Sequence, residues 1–209
     1  MRPLLFSAAC ERNSPPLLEI LQRWLPPNAS VLEVGSGSGQ HAVFFTQQLK
    51  GLIWQPSERA QNLADLNERL ELEGRHKLAS QAEIQASLVL DVSSDQDWPV
   101  GPYDAVFSAN TAHIMPLAAV NDLLKGSSRV LRPGGLLLLY GPFSYGGRHT
   151  AVSNANFDAH LHQVDPAMGI RDAEELQHQA AAVGLESQAD VAMPAENRTL
   201  IWRRNKDNP

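Results

Sequence analysis

The chain has 209 residues, 43% of them apolar and 19% charged, with a formal net charge of -6. A chain of this size can bury one substantial core, so a single domain spanning 1–209 is expected, and the acidic balance without a Lys/Arg cluster leaves no electrostatic footprint for nucleic acid. The lone Cys10 excludes an internal disulfide and a thiolate metal site and fits a reducing, cytoplasmic setting, and no run approaches the roughly 18 consecutive apolar residues of a membrane helix.

Met1 to Cys10, broken by Pro3, does not resemble a secretory signal. Ser14-Pro15-Pro16 predicts a helix start, with Leu17, Leu18, Leu21, Trp24 and Leu25 on one apolar face and Pro26-Pro27 as the stop, so that 1–30 reads as a helical arm. Arg12 and Asn13 fall just ahead of that start, where they either lean over a bound ligand or act as local capping residues. Val31 to Val34 then reads as a buried strand, Gly35, Gly37 and Gly39 allow a tight turn, and His41 to Leu49 has a helical pattern. Strand, glycine turn and helix make a nucleotide-cofactor cradle, because a ligand can approach a backbone free of side chains and the first helical N–H groups point at it. Two fingerprints overlap here. The dinucleotide pattern G-x-G-x-x-G/A can be laid on Gly37, Gly39 and Ala42, with Glu58 at the spacing of a ribose-binding acid, but it starts late relative to the strand end at Val34. The pattern E-x-G-x-G-x-G from Glu33 to Gly39 is in register with the strand, and it resembles motif I of the class I S-adenosylmethionine (SAM) methyltransferases.

Gly51 to Pro56 predicts a second strand, followed by Ser57 and Glu58. A carboxylate at the carboxyl end of a parallel strand opens onto the ligand crevice and can accept hydrogen bonds from a ribose diol; Glu58 alternatively serves as an N-terminal acid of a helix from Glu58 to Glu73. Arg75 to Ala86 is polar and irregular. Ala86 to Val92 predicts a third strand, with Asp91 at its end either exposed in a turn or, by the methyltransferase resemblance, accepting from an adenine amino group. Trp98-Pro99 either forms an apolar wall near the adenine ring or seals the sheet edge, the latter being the expectation. Tyr103 to Ala109 predicts the central strand, with Asn110, Thr111, His113 and Met115 directly after it. Asn110 can present a carbonyl to an ammonium, and His113 either faces an incoming substrate or is a surface histidine. A helix from Leu117 to Leu131 leads through Arg132-Pro133-Gly134-Gly135 into a strand from Leu136 to Tyr140, whose exit at Gly141-Pro142-Phe143 aims Tyr140 or Phe143 at the same crevice. L-R-P-G-G before an apolar strand resembles the start of the fifth strand in SAM methyltransferases.

Ser144 to Asp172 is the least regular stretch and is expected to form a polar lid, with Asn154, Asn156, Phe157 and Asp158 shaping a small pocket and Asp165-Pro166 opening a turn. No metal is expected there, since His160 and His162 would point to different sides of a helix. Asp172 caps a helix from Glu174 to Val183 that ends at Gly184. Leu185 to Met193 and Thr199 to Arg203 predict a closing antiparallel hairpin, and Arg203 to Pro209 a frayed tail.

The segments E-R-N-S-P-P, L-E-V-G-S-G-S-G-Q-H, W-Q-P-S-E, N-T-A-H-I, G-P-F, S-N-A-N-F-D, D-P-A-M-G-I-R-D and M-P-A-E-N, spread over nearly the whole chain, resemble the DUF938 family, also called UPF0585, of class I SAM methyltransferase-like proteins. Two departures from the family pattern are Glu58, where Asp is expected, and Glu196, where Asn is expected. The resemblance implies a Rossmann-like α/β fold, with a mostly parallel seven-stranded sheet, a C-terminal antiparallel hairpin and helices on both faces. It implies SAM as cofactor, with S-adenosylhomocysteine as product, held by Glu33, Gly35, Gly37, Gly39, Glu58, Asp91, Val92 and Asn110. The expected reaction is in-line methyl transfer to a small-molecule acceptor, with His113 as base or orienting group, Tyr140 second to it, and Arg12, Asn13, Phe143, Asn154, Phe157 and Asp158 on the substrate side. A SAM-binding sensor or partner module and an NAD-dependent oxidoreductase are the alternatives.

Overall fold

The computed structural model describes residues 3–74 and 76–206. They form two compact units, one comprising the chain up to Asp91 together with Tyr103–Phe107, the other Val92–Pro102 and the chain from Ser108 onwards.

The first unit holds α1 (Ala8–Trp24), β1 (Ser30–Val34), α2 (Gln40–Gln48), β2 (Ile53–Glu58), α3 (Leu63–Leu72), β3 (Glu83–Ile84), β4 (Leu88–Val89) and the first five residues of β5 (Tyr103–Ala109). β1 runs parallel to β2 and to β5, and β2 is paired in parallel with both β3 and β4. The interruption between β3 and β4, where one strand from Ala86 to Val92 was expected, has a cause in Pro56. Trp54 and Glu58 carbonyls accept from Gln85 and Leu90 on this edge, so Pro56 between them has no N–H to offer it, and the side chain of Gln55 instead donates to the Ala86 carbonyl at 2.6 Å. β2 itself runs two residues beyond the predicted Pro56, so Ser57 and Glu58 belong to the strand.

α1 starts at Ala8, not at Ser14, and carries Pro15 and Pro16 inside it. Ser7 is its cap, accepting from the Cys10 N–H, and exchanges two hydrogen bonds with the Gln40 side chain, while Asn13 bonds His41. These contacts stabilise a first turn that the prolines argue against. The carbonyls that the prolines leave without helical donors belong to the exposed Glu11 and Arg12. The core of this unit is an aromatic cluster of Phe45, Trp54 and Phe107 with ring centroids 5.4 to 5.7 Å apart.

The second unit holds α4 (Leu117–Val130), β6 (Leu131–Gly141), β7 (Phe143–Tyr145), β8 (Arg148–His149), α5 (Val152–Val164), β9 (Arg171–Asp172), α6 (Ala173–Ala182), β10 (Leu185–Met193) and β11 (Asn197–Arg204). β11 is antiparallel to β6 and to β10, and its fully buried residues include Ile201. The expected hairpin is therefore present, and Arg203 and Arg204 lie in it rather than in a tail; residues 207–209 of that expected tail, like Met1 and Arg2 of the N-terminal stretch, lie outside the described residues. The stretch from Ser144 to Asp172 is more regular than predicted. It contains a small sheet in the order β8-β7-β9 and the thirteen-residue α5. Only Asn154 and Leu161 of α5 are buried, so the sequence carries no apolar helical stripe by which to recognise it. Asp172 caps α6 as predicted, accepting from the Glu174 and Glu175 N–H groups.

Counting β3 and β4 as one interrupted strand, the main sheet has seven strands in the order β10-β11-β6-β5-β1-β2-β3. It is a mixed α/β sheet, mostly parallel and antiparallel only at its C-terminal strands, as the sequence predicted. Among the described residues no helix is long and apolar enough to cross a membrane.

Trp98 packs on α4. A Cβ at Gly126 would lie 2.0 Å from the Trp98 ring, which is itself held by a 3.1 Å bond to the Val92 carbonyl. α4 thus accepts the roughly 1 kcal/mol helical cost of an interior glycine to admit the indole. Gly126→Ala is expected to destabilise the protein by about 1–3 kcal/mol in urea unfolding, the reverse of the gain that helix propensity alone predicts.

Candidate functional site

In the first unit the turn between β1 and α2 is shaped by three left-handed glycines, Gly35, Gly37 and Gly39, at φ of 76, 53 and 74°. Side chains rarely adopt this backbone, and a Cβ at Gly37 would point into open space, which is the form of a cradle that a ligand can approach closely. The turn is tied to the end of β2. Gly35 and Ser36 N–H both donate to the Ser57 carbonyl, at 3.1 and 2.9 Å, and the Ser57 hydroxyl donates to the Glu33 carbonyl at 2.6 Å. Glu58, 7% exposed, accepts from Gly37 N–H at 2.8 Å on one carboxylate oxygen and from Arg59 N–H and the Asn62 amide on the other. Asp91 lies beyond β4 and forms a 3.6 Å ion pair with Arg59, both side chains being largely exposed.

Beneath the turn lies a buried polar set that joins Glu33 and Asn13, which the sequence singled out, to His41 and Arg69, which it did not. Glu33, 1% exposed, accepts from the Trp54 indole N–H at 2.9 Å, and burial pushes its carboxyl up to about 7. His41 Nε2 is 2.7 Å from Asn13 Oδ1, which can only accept, so Nε2 carries the proton. The bare Nδ1 faces Glu33 Oε1 at 3.8 Å. Burial holds His41 down at about 4, so that contact joins a neutral imidazole to a carboxyl and is not an ion pair near neutral pH. Asn13 Oδ1 is thereby engaged by His41. Arg12, on the same helix, is exposed. Arg69 of α3 supports the turn from behind, donating to the Ser38 carbonyl at 2.6 Å and the Leu5 carbonyl at 2.9 Å and pairing with Glu73. The i,i+4 spacing of Arg69 and Glu73 was readable, but not that this arginine is buried against the glycine turn.

In the second unit the residues after β5 form another cluster. Asn110 sits at φ 59°, a left-handed conformation that asparagine tolerates, with its N–H on the Tyr140 carbonyl at 2.8 Å. His113 is buried at 7% exposure, with its ring 5.2 Å from that of Phe157 in an edge contact. Burial, aided by the charge of Arg171, lowers His113 to about 4, so it is a neutral imidazole at pH 7. His113 Nδ1 and Asn110 Oδ1 both lie beside Gly141, where a Cβ would meet them at the ordinary contact distances of 3.6 and 3.9 Å. Phe157, 37% exposed, is the residue of α5 that meets His113.

The remaining predicted residues have structural partners. Tyr140 and Val92 are buried, and Phe143 is almost wholly so at 1% exposure, which leaves its ring little surface to offer a substrate. Asn154 donates to Thr150 and to the Glu196 backbone carbonyl, so the side chain at position 196 is not what this amide uses. Asp158 accepts from Ile170 N–H at 2.6 Å and lies 3.4 and 3.7 Å from His149 and His162. Among the described residues no group of three His, Cys, Asp or Glu is arranged to hold a metal ion.

Comparison with known proteins places the chain in a family. Residues 5–204 match the family described as "Protein of unknown function (DUF938)", and the chain belongs to it. Among solved structures it is similar to an O-methyltransferase family protein from Burkholderia thailandensis, at 14% identity and a TM-score of 0.75 over 96% of this chain and 58% of that one. It is likewise similar to the SAM-dependent methyltransferase SibL, at 19% identity and a TM-score of 0.75 over 95% of this chain and 56% of that one. Human N-acetylserotonin methyltransferase in complex with SAM is similar at 15% identity and a TM-score of 0.73, over 94% of this chain and 53% of that one. These likenesses are of fold, and the chain spans a little over half the length of the structures it matches.

The buried groups of the first unit set opposite pH dependences. Glu33, raised, is protonated in the fold below its unfolded value and must carry a buried charge as pH rises towards 7; His41, lowered, resists protonation and loses stability as pH falls from its unfolded value towards 4. Glu33→Gln keeps an acceptor for Trp54 and removes the first of these. Relative to wild type, it is expected to gain stability on the order of 1–3 kcal/mol between pH 4.5 and 8, read as the pH dependence of the difference in calorimetric Tm. A difference flat across that range would mean that Glu33 titrates as an ordinary carboxylate.

Proposed function

We propose that this protein is a SAM-dependent methyltransferase acting on a small-molecule acceptor. The observation that carries the choice of cofactor is the 2.8 Å bond from Gly37 N–H to Glu58. An NAD reading needs that amide for a pyrophosphate, and a dianion there would meet the Glu58 carboxylate. A SAM reading needs a carboxylate at the lip of the turn to accept from a ribose diol and asks nothing anionic of the glycines. The residues of the first unit therefore fit SAM: Gly35, Gly37 and Gly39 allow the close approach, Glu33 supports the turn from below, Glu58 takes the ribose and Asp91 the adenine, while Val92 for the adenine and Asn110 for the ammonium of the methionine moiety are assigned by the sequence resemblance alone. When bound, SAM supplies a methyl group on a sulfonium, open to displacement by an oxygen, nitrogen or sulfur.

Little covalent work then falls to the protein. Holding two reactants in line can contribute up to about 7–11 kcal/mol of a barrier, and a base is required only if the acceptor must lose a proton. His113 is our candidate for the base or orienting group. Its imidazole is neutral at physiological pH and offers an acceptor nitrogen, and because a group held at about 4 is a weak base, orienting the acceptor by a hydrogen bond is the favoured of the two roles. Tyr140 is second to it, and Phe157 and Asp158 belong to the acceptor side. A small acceptor agrees with the net charge of -6 and the lack of a basic stripe, and the single cysteine agrees with a cytoplasmic protein.

The test is thermal unfolding with SAM, S-adenosylhomocysteine, NAD or no addition. A ligand at about 100 times its dissociation constant stabilises by about 2.7 kcal/mol, a rise of about 5–11 °C for a chain of this size. SAM and S-adenosylhomocysteine are expected to give that rise and NAD none, with Glu58→Ala removing it. A rise with NAD alone would overturn the assignment.

A further inference from the structure

The motif D-P-A-M-G-I-R-D supplies none of the residues assigned above to the cofactor, and the segment it forms grips the loop that carries His113. Arg171 donates through Nε to the Ala112 carbonyl at 3.0 Å and through Nη2 to the carbonyls of Met115 and Ala167. Gly169 N–H donates to the His113 carbonyl at 2.9 Å. Three carbonyls of the short stretch Ala112–Met115 are thus held by residues 169–171.

The holding segment is itself fixed. Asp165 accepts from the Ala167 N–H at 2.8 Å to close its turn, and Asp158 of α5 accepts from Ile170 N–H at 2.6 Å. Gly169 passes where a Cβ would come within 2.8 Å of the His162 ring and 3.2 Å of Asp158, so a larger residue there requires these side chains of α5 to shift. Phe157, one residue before Asp158, supplies the edge contact to the His113 ring. Asp158 and Glu175 provide negative charge opposite the half-buried guanidinium.

We infer that Arg171 is a positioning residue, whose forked guanidinium fixes the loop of His113 and with it the orientation of the imidazole against Phe157. A planar guanidinium can bond several carbonyls from fixed directions at once; a lysine ammonium has no such fork. Its positive charge also opposes protonation of His113, adding to the effect of burial. The inference rests on the role proposed above for His113, but its test needs neither cofactor nor acceptor.

The experiment is NMR of protein labelled with 13C-histidine, the His113 signal being identified by its loss in His113→Gln. In wild type we expect a cross-relaxation contact between the His113 and Phe157 rings and an imidazole that stays neutral down to about pH 5, given its value of about 4. Arg171→Met is expected to lose the ring contact and to raise the titration midpoint by at least about one pH unit. Arg171→Lys is expected to lose the contact too, while its retained charge keeps the midpoint below that of the Met variant. Survival of both contact and midpoint in a folded Arg171→Met protein would overturn the inference. If the Met variant does not fold, a ring contact retained in Arg171→Lys overturns it equally. Absence of a thermal shift with SAM would remove the methyltransferase reading and leave this result standing; an intact His113 contact in the variants would do the reverse.

Discussion

The shape of the glycine turn depends on one carbonyl. Ser57, at the end of β2, accepts from both Gly35 and Ser36, and its hydroxyl returns a bond to Glu33, so the turn, the end of β1 and the end of β2 are locked together by backbone geometry. Buried donors and acceptors must be paired, and this arrangement satisfies several at a point where the chain is neither strand nor helix. With the turn held there, Glu58 is brought against Gly37, and the negative side of the cradle is set before any ligand arrives.

Around this turn and around the loop after β5 the same physical device recurs: burial shifts a titratable group towards its uncharged form. Glu33 is held near 7 by burial, and His41 and His113 are each pushed down to about 4. Removing a charge from water is expensive, so the two histidines, neutral at pH 7, escape that cost, whereas Glu33 meets it as pH rises through 7. Arg69 and Arg171 cannot neutralise in this way, and the fold surrounds each of them with carbonyls and a carboxylate instead.

Most elements could be read from the sequence where one local signal sufficed. β5 was predicted with its observed bounds because YDAVFSA is an uninterrupted apolar, β-branched and aromatic run. α6 was legible from its Asp172 cap, and the closing hairpin from a turn between two strand patterns. Elements that depend on distant partners were misplaced. The start of α1 is set by Ser7 and Asn13 meeting Gln40 and His41, against the local vote of two prolines. α5 shows no apolar stripe, because the α-helical register there is held by polar groups such as Asn154.

For the candidate site the division is similar. The sequence by itself determined the glycine turn, the acid at the end of β2 and the polar loop after β5, since each follows from residue type at a fixed spacing along one strand. Only the tertiary structure decided which polar side chains are already spoken for. Asn13 was expected to lean over a ligand or to cap locally, and its Oδ1 meets His41; Arg69 and Arg171 gave no sign of gripping loops far away in the chain. The physical reason is that a hydrogen bond between residues dozens of positions apart leaves no periodicity. Its partners are chosen by the packing that brings them within 3 Å, and that packing is a property of the folded chain.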